Sequence, residues 1–173
     1  MLVIMDAVTS LAGIDLKADA WGADVVYSGT QKCLSGLPGI SPITFSDDAV
    51  SAIQARTQKV QSWFLDMNLI MGYWGEGAKR AYHHTAPVNA IYALHEALLM
   101  LEEESLEASI ARHQDNHVTL AAGLSKLGLD LAVSEPWRLP QLNSVLIPQG
   151  IDDATIRARL LNEFDLKFLT FFS

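Results

Sequence analysis

The sequence has a single cysteine, Cys33, and lacks several features that define other classes of protein. One cysteine excludes an intrachain disulfide, which suits a reducing compartment. No apolar run reaches the length of a membrane-spanning helix. The amino terminus has neither the basic stretch nor the small-residue cleavage site of a signal peptide, and the last three residues differ from the peroxisomal Ser-Lys-Leu ending. These absences predict a cytoplasmic protein without a membrane-spanning segment.

Basic residues are also scarce. The chain has 12 Lys and Arg against 20 Asp and Glu, which gives a net charge of −8. Nucleic-acid binding needs clustered cations, and an anionic membrane surface repels an acidic protein, so the charge disfavours both as partners. Half of the residues are apolar, which is typical of a folded protein. With 173 residues the chain is long enough for one domain or slightly more.

Two short apolar runs end in residues that can do chemistry. Residues 2–8 read LVIMDAV and contain Asp6, whereas residues 25–32 read VVYSGTQK and end at Lys32. Runs of this length and composition predict buried parallel strands. Two such strands side by side bring Asp6 and Lys32 to the edge of the sheet where α/β proteins bind ligands. For the pair taken alone, a salt bridge or two solvated loop residues is the alternative interpretation.

The rest of the chain predicts an α/β region followed by an α+β region. The short loop after the second strand allows an antiparallel third strand. A boundary near Glu104 divides the chain into domains 1–104 and 105–173. The predicted strands are 2–6, 24–28, 40–45, 129–133 and 143–147, and the predicted helices are 47–58, 88–104, 105–127 and 152–163.

Adjacent histidines, His83 and His84, raise the question of a metal site. Neighbouring side chains point to opposite faces of a strand and lie about 100° apart on a helix, so neither geometry suits one metal ion. No cysteine or carboxylate stands at a ligand spacing from them. We expect no metal at this position.

Three strings together resemble one family of enzymes. Residues 6–10 (DAVTS), 28–32 (SGTQK) and 82–88 (YHHTAPV) are similar to those of the class V aminotransferases, of the alanine–glyoxylate and serine–glyoxylate type. The resemblance implies pyridoxal phosphate (PLP) as cofactor and a homodimer as the assembly. It also implies the α/β architecture of the aspartate-aminotransferase-like fold (fold type I). We expect this chain to contain part of the large-domain sheet, followed by an incomplete α+β C-terminal domain.

The same resemblance assigns roles to individual residues. Lys32 is the catalytic residue, whose amine binds the cofactor covalently and then moves a proton. Asp6 pairs with the pyridine nitrogen and keeps it protonated. Val8 packs on one face of the ring, for which core packing is the alternative, and Gln31 reaches the phosphate, for which a surface amide is the alternative.

The third string carries residues that act across the dimer. The family positions that match Tyr82 and Thr85 bind the phosphate held by the neighbouring subunit, and hydroxyl donors suit that task. Arg80 stands close enough in sequence to add a positive charge. The implied substrates are a small amino acid and the 2-oxo acid glyoxylate. Alanine, serine and ureidoglycine all stay open as the amino donor.

The chain departs from the family pattern at both ends. It has no counterpart of the family's N-terminal half, which supplies the Gly-rich phosphate turn and the aromatic residue stacked on the ring. It also has no counterpart of the arginine that holds the substrate carboxylate. After Leu166 the family continues into a Gly-rich loop, whereas this chain reads KFLTFFS. We expect a frameshift or gene break there and an internal start at Met1, which sequencing of the flanking DNA would test. The alternative function is therefore a catalytically inactive remnant, and we expect weak cofactor binding by this chain alone.

Overall fold

Three short strands form the sheet of this computed structural model, which describes residues 1–74 and 81–168. The strands are β1 (Ile4–Asp6), β2 (Val25–Tyr27) and β3 (Ile43–Phe45), in the spatial order β1-β2-β3. β1 and β2 run parallel, with Asp6 opposite Tyr27. β2 and β3 run antiparallel. The parallel pair confirms the prediction, and the antiparallel pair is the arrangement that the short loop allows. The predicted burial of β1 is wrong, because β1 is an edge strand and its Ile4 side chain is 68% exposed.

The third strand is shorter than the predicted range of 40–45. Pro42 has no N–H to donate to a ladder, so regular pairing begins only at Ile43. The Pro42 carbonyl still accepts a hydrogen bond of 2.9 Å from the Ser28 backbone N–H. This bond closes the end of the sheet next to the loop that carries Lys32.

The described part of the chain contains five α-helices: α1 (Asp47–Gln54), α2 (Met67–Trp74), α3 (Val88–Glu104), α4 (Leu106–Lys126) and α5 (Asp153–Phe164). Ser46 and Asp152 cap α1 and α5, because each side chain accepts a backbone N–H from the first turn. The predicted range of α3 is confirmed. α1 ends four residues earlier than predicted, and a short 3-10 helix (Glu135–Trp137) precedes α5.

The strands predicted at 129–133 and 143–147 do not form in the described part of the chain. Their ranges meet only at an isolated bridge between Leu131 and Val145, flanked by two backbone hydrogen bonds of 2.8 Å. A lone pair of short strands is marginal because it has no further strand to extend its ladder. The predicted pairing is therefore present only as a fragment.

The chain forms two compact units, Met1–Gln114 and Asp115–Ser173. The first unit contains the sheet, and most of the buried apolar side chains among its described residues are small: Ala7, Ala12, Val26, Leu34, Ala49 and Ala97. Beside them lies an apolar cavity of about 350 Å³, lined mainly by leucines. In the second unit the buried His117 ring contacts the Asn143 amide oxygen at 2.6 Å. No described helix is long and apolar enough to cross a membrane.

Candidate active site

Asp6 ends β1 and presents its carboxylate at the edge of the sheet. The Val8 backbone N–H donates to Asp6 Oδ1 at 2.9 Å, and the Tyr27 hydroxyl donates to Asp6 Oδ2, also at 2.9 Å. The side chain is nevertheless exposed. A carboxylate offers about four lone-pair positions, so two bound donors leave room for another N–H.

The loop after β2 packs against the loop after β1. The buried Ser28 hydroxyl donates to the Ala7 carbonyl at 2.9 Å. Farther along, the Cys33 thiol donates to the Thr9 carbonyl at 3.4 Å. These two contacts bring the residues around Lys32 next to the residues that follow Asp6. The predicted meeting of the two strand ends is therefore present in the fold.

A buried threonine shapes the loop that carries Lys32. Thr30 is 1% exposed, and its hydroxyl donates to the Leu37 carbonyl. The Gly36 backbone N–H donates to the Thr30 carbonyl at 2.8 Å. A Cβ atom on Gly36 would lie 3.2 Å from that carbonyl oxygen, so a glycine suits this close approach. The loop is thus held from inside, and Gln31 and Lys32 face outward.

The predicted cofactor residues differ in exposure. Lys32 and Gln31 are exposed, whereas Val8 is half-buried. Within residues 1–74 and 81–168 the Lys32 amine takes part in no ion pair, so it is available for a ligand. Burial raises the pKa of the neighbouring Cys33 thiol, although Arg112 and Lys32 partly oppose that shift. The thiol therefore keeps its proton near neutral pH and acts as a donor to Thr9.

Tyr82 and Thr85 form a separate pair. Their hydroxyls are hydrogen-bonded to each other, and Tyr82 is 76% exposed. Both residues are exposed. Arg80, considered above as an additional charge, lies outside the described residues.

His83 is structural in this arrangement. It is 5% exposed, its Nε2 lies 2.9 Å from the Trp63 carbonyl oxygen, and its ring centroid lies 4.1 Å from that of Trp63. Its other ring nitrogen contacts His84. Among the residues that the structure describes, no group of three histidines, cysteines or carboxylates could hold a metal ion.

Tyr27 was not predicted as a site residue. Its contact with Asp6 spans 21 positions of sequence and depends on the strand register, which local patterns do not specify. The only signal was its place as the last residue of the second apolar run, opposite the last residue of the first. Its hydrogen bond to Asp6 is the main cause that raises the pKa of the Tyr27 phenol, with smaller contributions from burial and from the Asp6 charge.

The donor set fits a cofactor that has an aldehyde, a ring nitrogen and a phosphate. Lys32 provides the amine, Asp6 provides an acceptor with free lone pairs, and the Gln31 amide provides a neutral donor. Asp6 and the Lys32 loop occupy the ends of neighbouring strands, where such ligands bind. This donor set at the ends of neighbouring strands is typical of one class of protein, the PLP-dependent enzymes.

Comparison with known proteins identifies the family. The family model "Aminotransferase class-V" matches residues 1–162. Alanine–glyoxylate aminotransferase from Callithrix jacchus is 40% identical over 168 residues, which are 96% of this chain and 41% of that protein. (S)-Ureidoglycine–glyoxylate transaminase from Bacillus subtilis is 33% identical over 189 residues, which cover 99% of this chain and 45% of that protein.

Solved structures agree with the sequence comparison. The crystal structure of alanine–glyoxylate aminotransferase from Nostoc sp. superposes with a TM-score of 0.89 and 46% identity, over 96% of this chain and 44% of that one. The chain belongs to the class-V aminotransferase family, whose cofactor is PLP, and it contains part of the fold type I architecture. It spans less than half the length of these relatives.

Proposed function

We propose that this chain provides the lysine-bearing part of a PLP-dependent aminotransferase, which transfers an amino group between a small amino acid and glyoxylate. The observation that carries the proposal is the juxtaposition of Asp6 and the Lys32 loop at one edge of the sheet. The relatives named as glyoxylate aminotransferases support glyoxylate as one substrate. Alanine or serine is the proposed amino donor.

Each site residue has a task in this proposal. The exposed Lys32 amine would hold the cofactor at its aldehyde carbon, with loss of water, and once freed would move a proton to and from the substrate carbon. Asp6 would accept the N–H of the pyridine ring, Val8 would pack on the ring face, and Gln31 would donate to the phosphate. When bound, PLP supplies the electron sink that stabilises negative charge on the substrate.

A homodimer is part of the same proposal. Tyr82 and Thr85 are surface hydroxyl donors, and we assign them to the phosphate bound by the partner subunit. Residues 1–104 then belong to the PLP-binding large domain, and residues 105–173 to a small C-terminal domain. The single cysteine and the net charge of −8 support a cytoplasmic location.

Lys32→Ala tests the proposal directly. The purified chain is mixed with PLP, its visible absorption is recorded, and borohydride reduction followed by peptide mapping locates the cofactor. We expect the label on Lys32 and its nearly complete loss in Lys32→Ala. Lys59→Ala removes another exposed lysine and is expected to leave the label on Lys32 unchanged.

The result also decides between the proposal and its alternative. Label on Lys32, followed by glycine formation from alanine or serine plus glyoxylate, supports an aminotransferase. Label scattered over surface lysines, with equal amounts in the wild type and in Lys32→Ala, contradicts the proposal and favours a catalytically inactive remnant.

A further inference from the structure

The strand register places Tyr27 beside Asp6. The two residues are opposite each other in the parallel pair of β1 and β2, and each is the last residue of its strand. Their side chains meet in a hydrogen bond of 2.9 Å from the Tyr27 hydroxyl to Asp6 Oδ2. The contact therefore follows from the backbone pairing of the sheet.

Asp6 is held at both oxygens. The Val8 backbone N–H binds Oδ1, and Tyr27 binds Oδ2. An exposed carboxylate normally samples several rotamers, and fixing it costs conformational entropy. Two donors on opposite oxygens select one orientation before any ligand arrives. Two further lone-pair positions stay open for a third donor.

We propose that Tyr27 is a positioning residue, which holds the Asp6 carboxylate in the orientation that accepts the ring N–H of PLP. This inference rests on the proposed function. Tyr27 acts through Asp6 and needs no contact with the cofactor. Because the phenol is a neutral donor, it orients the carboxylate without supplying a second positive charge that would compete with the ring nitrogen.

The alternative role for Tyr27, a general base, conflicts with its surroundings. The hydrogen bond to Asp6 raises the pKa of the phenol above its ordinary value of 10.0. The hydroxyl therefore keeps its proton at neutral pH and can only donate toward Asp6. Tyr27→Phe removes this one hydroxyl and keeps the half-buried ring.

The first test needs no cofactor. The ultraviolet absorbance of the phenols is titrated with pH in the wild type, Tyr27→Phe and Asp6→Asn, and the difference between the first two isolates Tyr27. We expect Tyr27 to titrate above the ordinary tyrosine range and to move downward in Asp6→Asn. Titration of Tyr27 at the ordinary value, unaffected by Asp6→Asn, would overturn the inference.

The second test measures cofactor affinity from the PLP concentration that half-saturates borohydride labelling of Lys32. We expect about ten-fold weaker binding in Tyr27→Phe, the typical effect of losing a hydrogen bond to a charged group. The control is Tyr92→Phe, a change at a 70% exposed residue of α3, and it is expected to bind like the wild type. Equal binding by Tyr27→Phe overturns the positioning role alone, whereas a wild type that never labels Lys32 overturns the proposed function and with it this role.

Discussion

At the scale of single residues, a buried side chain holds the loop that carries Lys32. Thr30 is almost fully buried, and its hydroxyl donates to the Leu37 carbonyl and lies 3.4 Å from the Ile40 carbonyl. The hydroxyl therefore closes the loop from inside. The sequence analysis singled out residues 28–32, which contain Thr30, but it assigned roles only to the exposed Gln31 and Lys32.

Replacing Thr30 by valine is expected to destabilise the fold. The change keeps the shape but removes the hydroxyl that donates to the Leu37 carbonyl in a part-buried hydrogen bond, which costs about 0.5–1.5 kcal/mol of the free energy of unfolding. Urea denaturation followed by circular dichroism measures the loss. Thr44→Val, on the exposed face of β3, is the matched control and is expected to change stability by less than about 0.5 kcal/mol. Equal effects of the two substitutions would contradict this role of Thr30.

At the scale of secondary-structure elements, Asp24 joins the start of β1 to the start of α1. Its carboxylate accepts the Val3 backbone N–H at 2.7 Å and the hydroxyl of Ser46, the N-cap of α1, at 2.9 Å. Both hydrogen bonds hold the pKa of Asp24 below its usual value of 3.8, and the bond from Val3 has the larger effect. One carboxylate thus links two elements that are far apart in sequence.

This link makes stability depend on acid pH. Because the pKa of Asp24 is lower in the folded state than in the unfolded state, its contribution is complete above about pH 4. The contribution is lost as the pH falls through the folded pKa, below 3.8. We expect Asp24→Asn to lower stability at neutral pH and to reduce the further decline on acidification.

Urea unfolding at a series of pH values between neutral and strongly acidic provides the measurement. The control is Asp19→Asn, which removes an exposed carboxylate from the turn before β2. It is expected to follow the wild-type curve. An Asp24→Asn profile parallel to the wild-type profile over the whole range would show that the carboxylate does not couple the two elements.

The sequence predicted elements well where local signals suffice. Apolar residues at helical spacing predicted α3 as 88–104, and the side-chain oxygens of Ser46 and Asp152 predicted the starts of α1 and α5. The prediction of strands at residues 129–133 and 143–147 was wrong. Their composition is typical of strands, but the two segments pair only with each other and form a single bridge. The sequence analysis also missed Tyr27, because register is a tertiary property. Of the candidate site, the sequence predicted that two strand ends would meet, which the structure confirms, but not the contacts that hold them. The roles of Lys32 and Asp6 stay predictions.

At the scale of the whole molecule, many large apolar side chains are exposed, whereas four of the six buried apolar residues in the described part of the chain are alanines. Exposed examples include Ile4, Trp63, Phe64 and Trp137, at 58–79%. Ile4 lies on β1, an edge of the three-stranded sheet. An apolar edge strand is a template for pairing with another chain. We therefore expect this surface to associate with copies of the chain or with other apolar segments.

Ile4→Lys tests the association. At micromolar concentrations, sedimentation velocity is expected to show self-association of the wild type, and a charge on the edge strand is expected to weaken it about ten-fold or more. Ile151→Lys introduces the same charge at another exposed isoleucine, in the unit Asp115–Ser173, and is expected to have little effect. If both variants associate like the wild type, β1 is not the contact.

The pairing of Asp6 with Tyr27 also constrains how genes for such proteins can change. The 18 residues between β1 and β2 form turns and no ladder, and Val8 and Asp24, near their two ends, bond to Asp6 and Val3. A single inserted codon within either strand shifts the register by one and turns the following side chain to the other face. A change of length that keeps the two side chains opposite each other is therefore confined to the middle of the connecting segment, away from both strands and from the residues that bond to them.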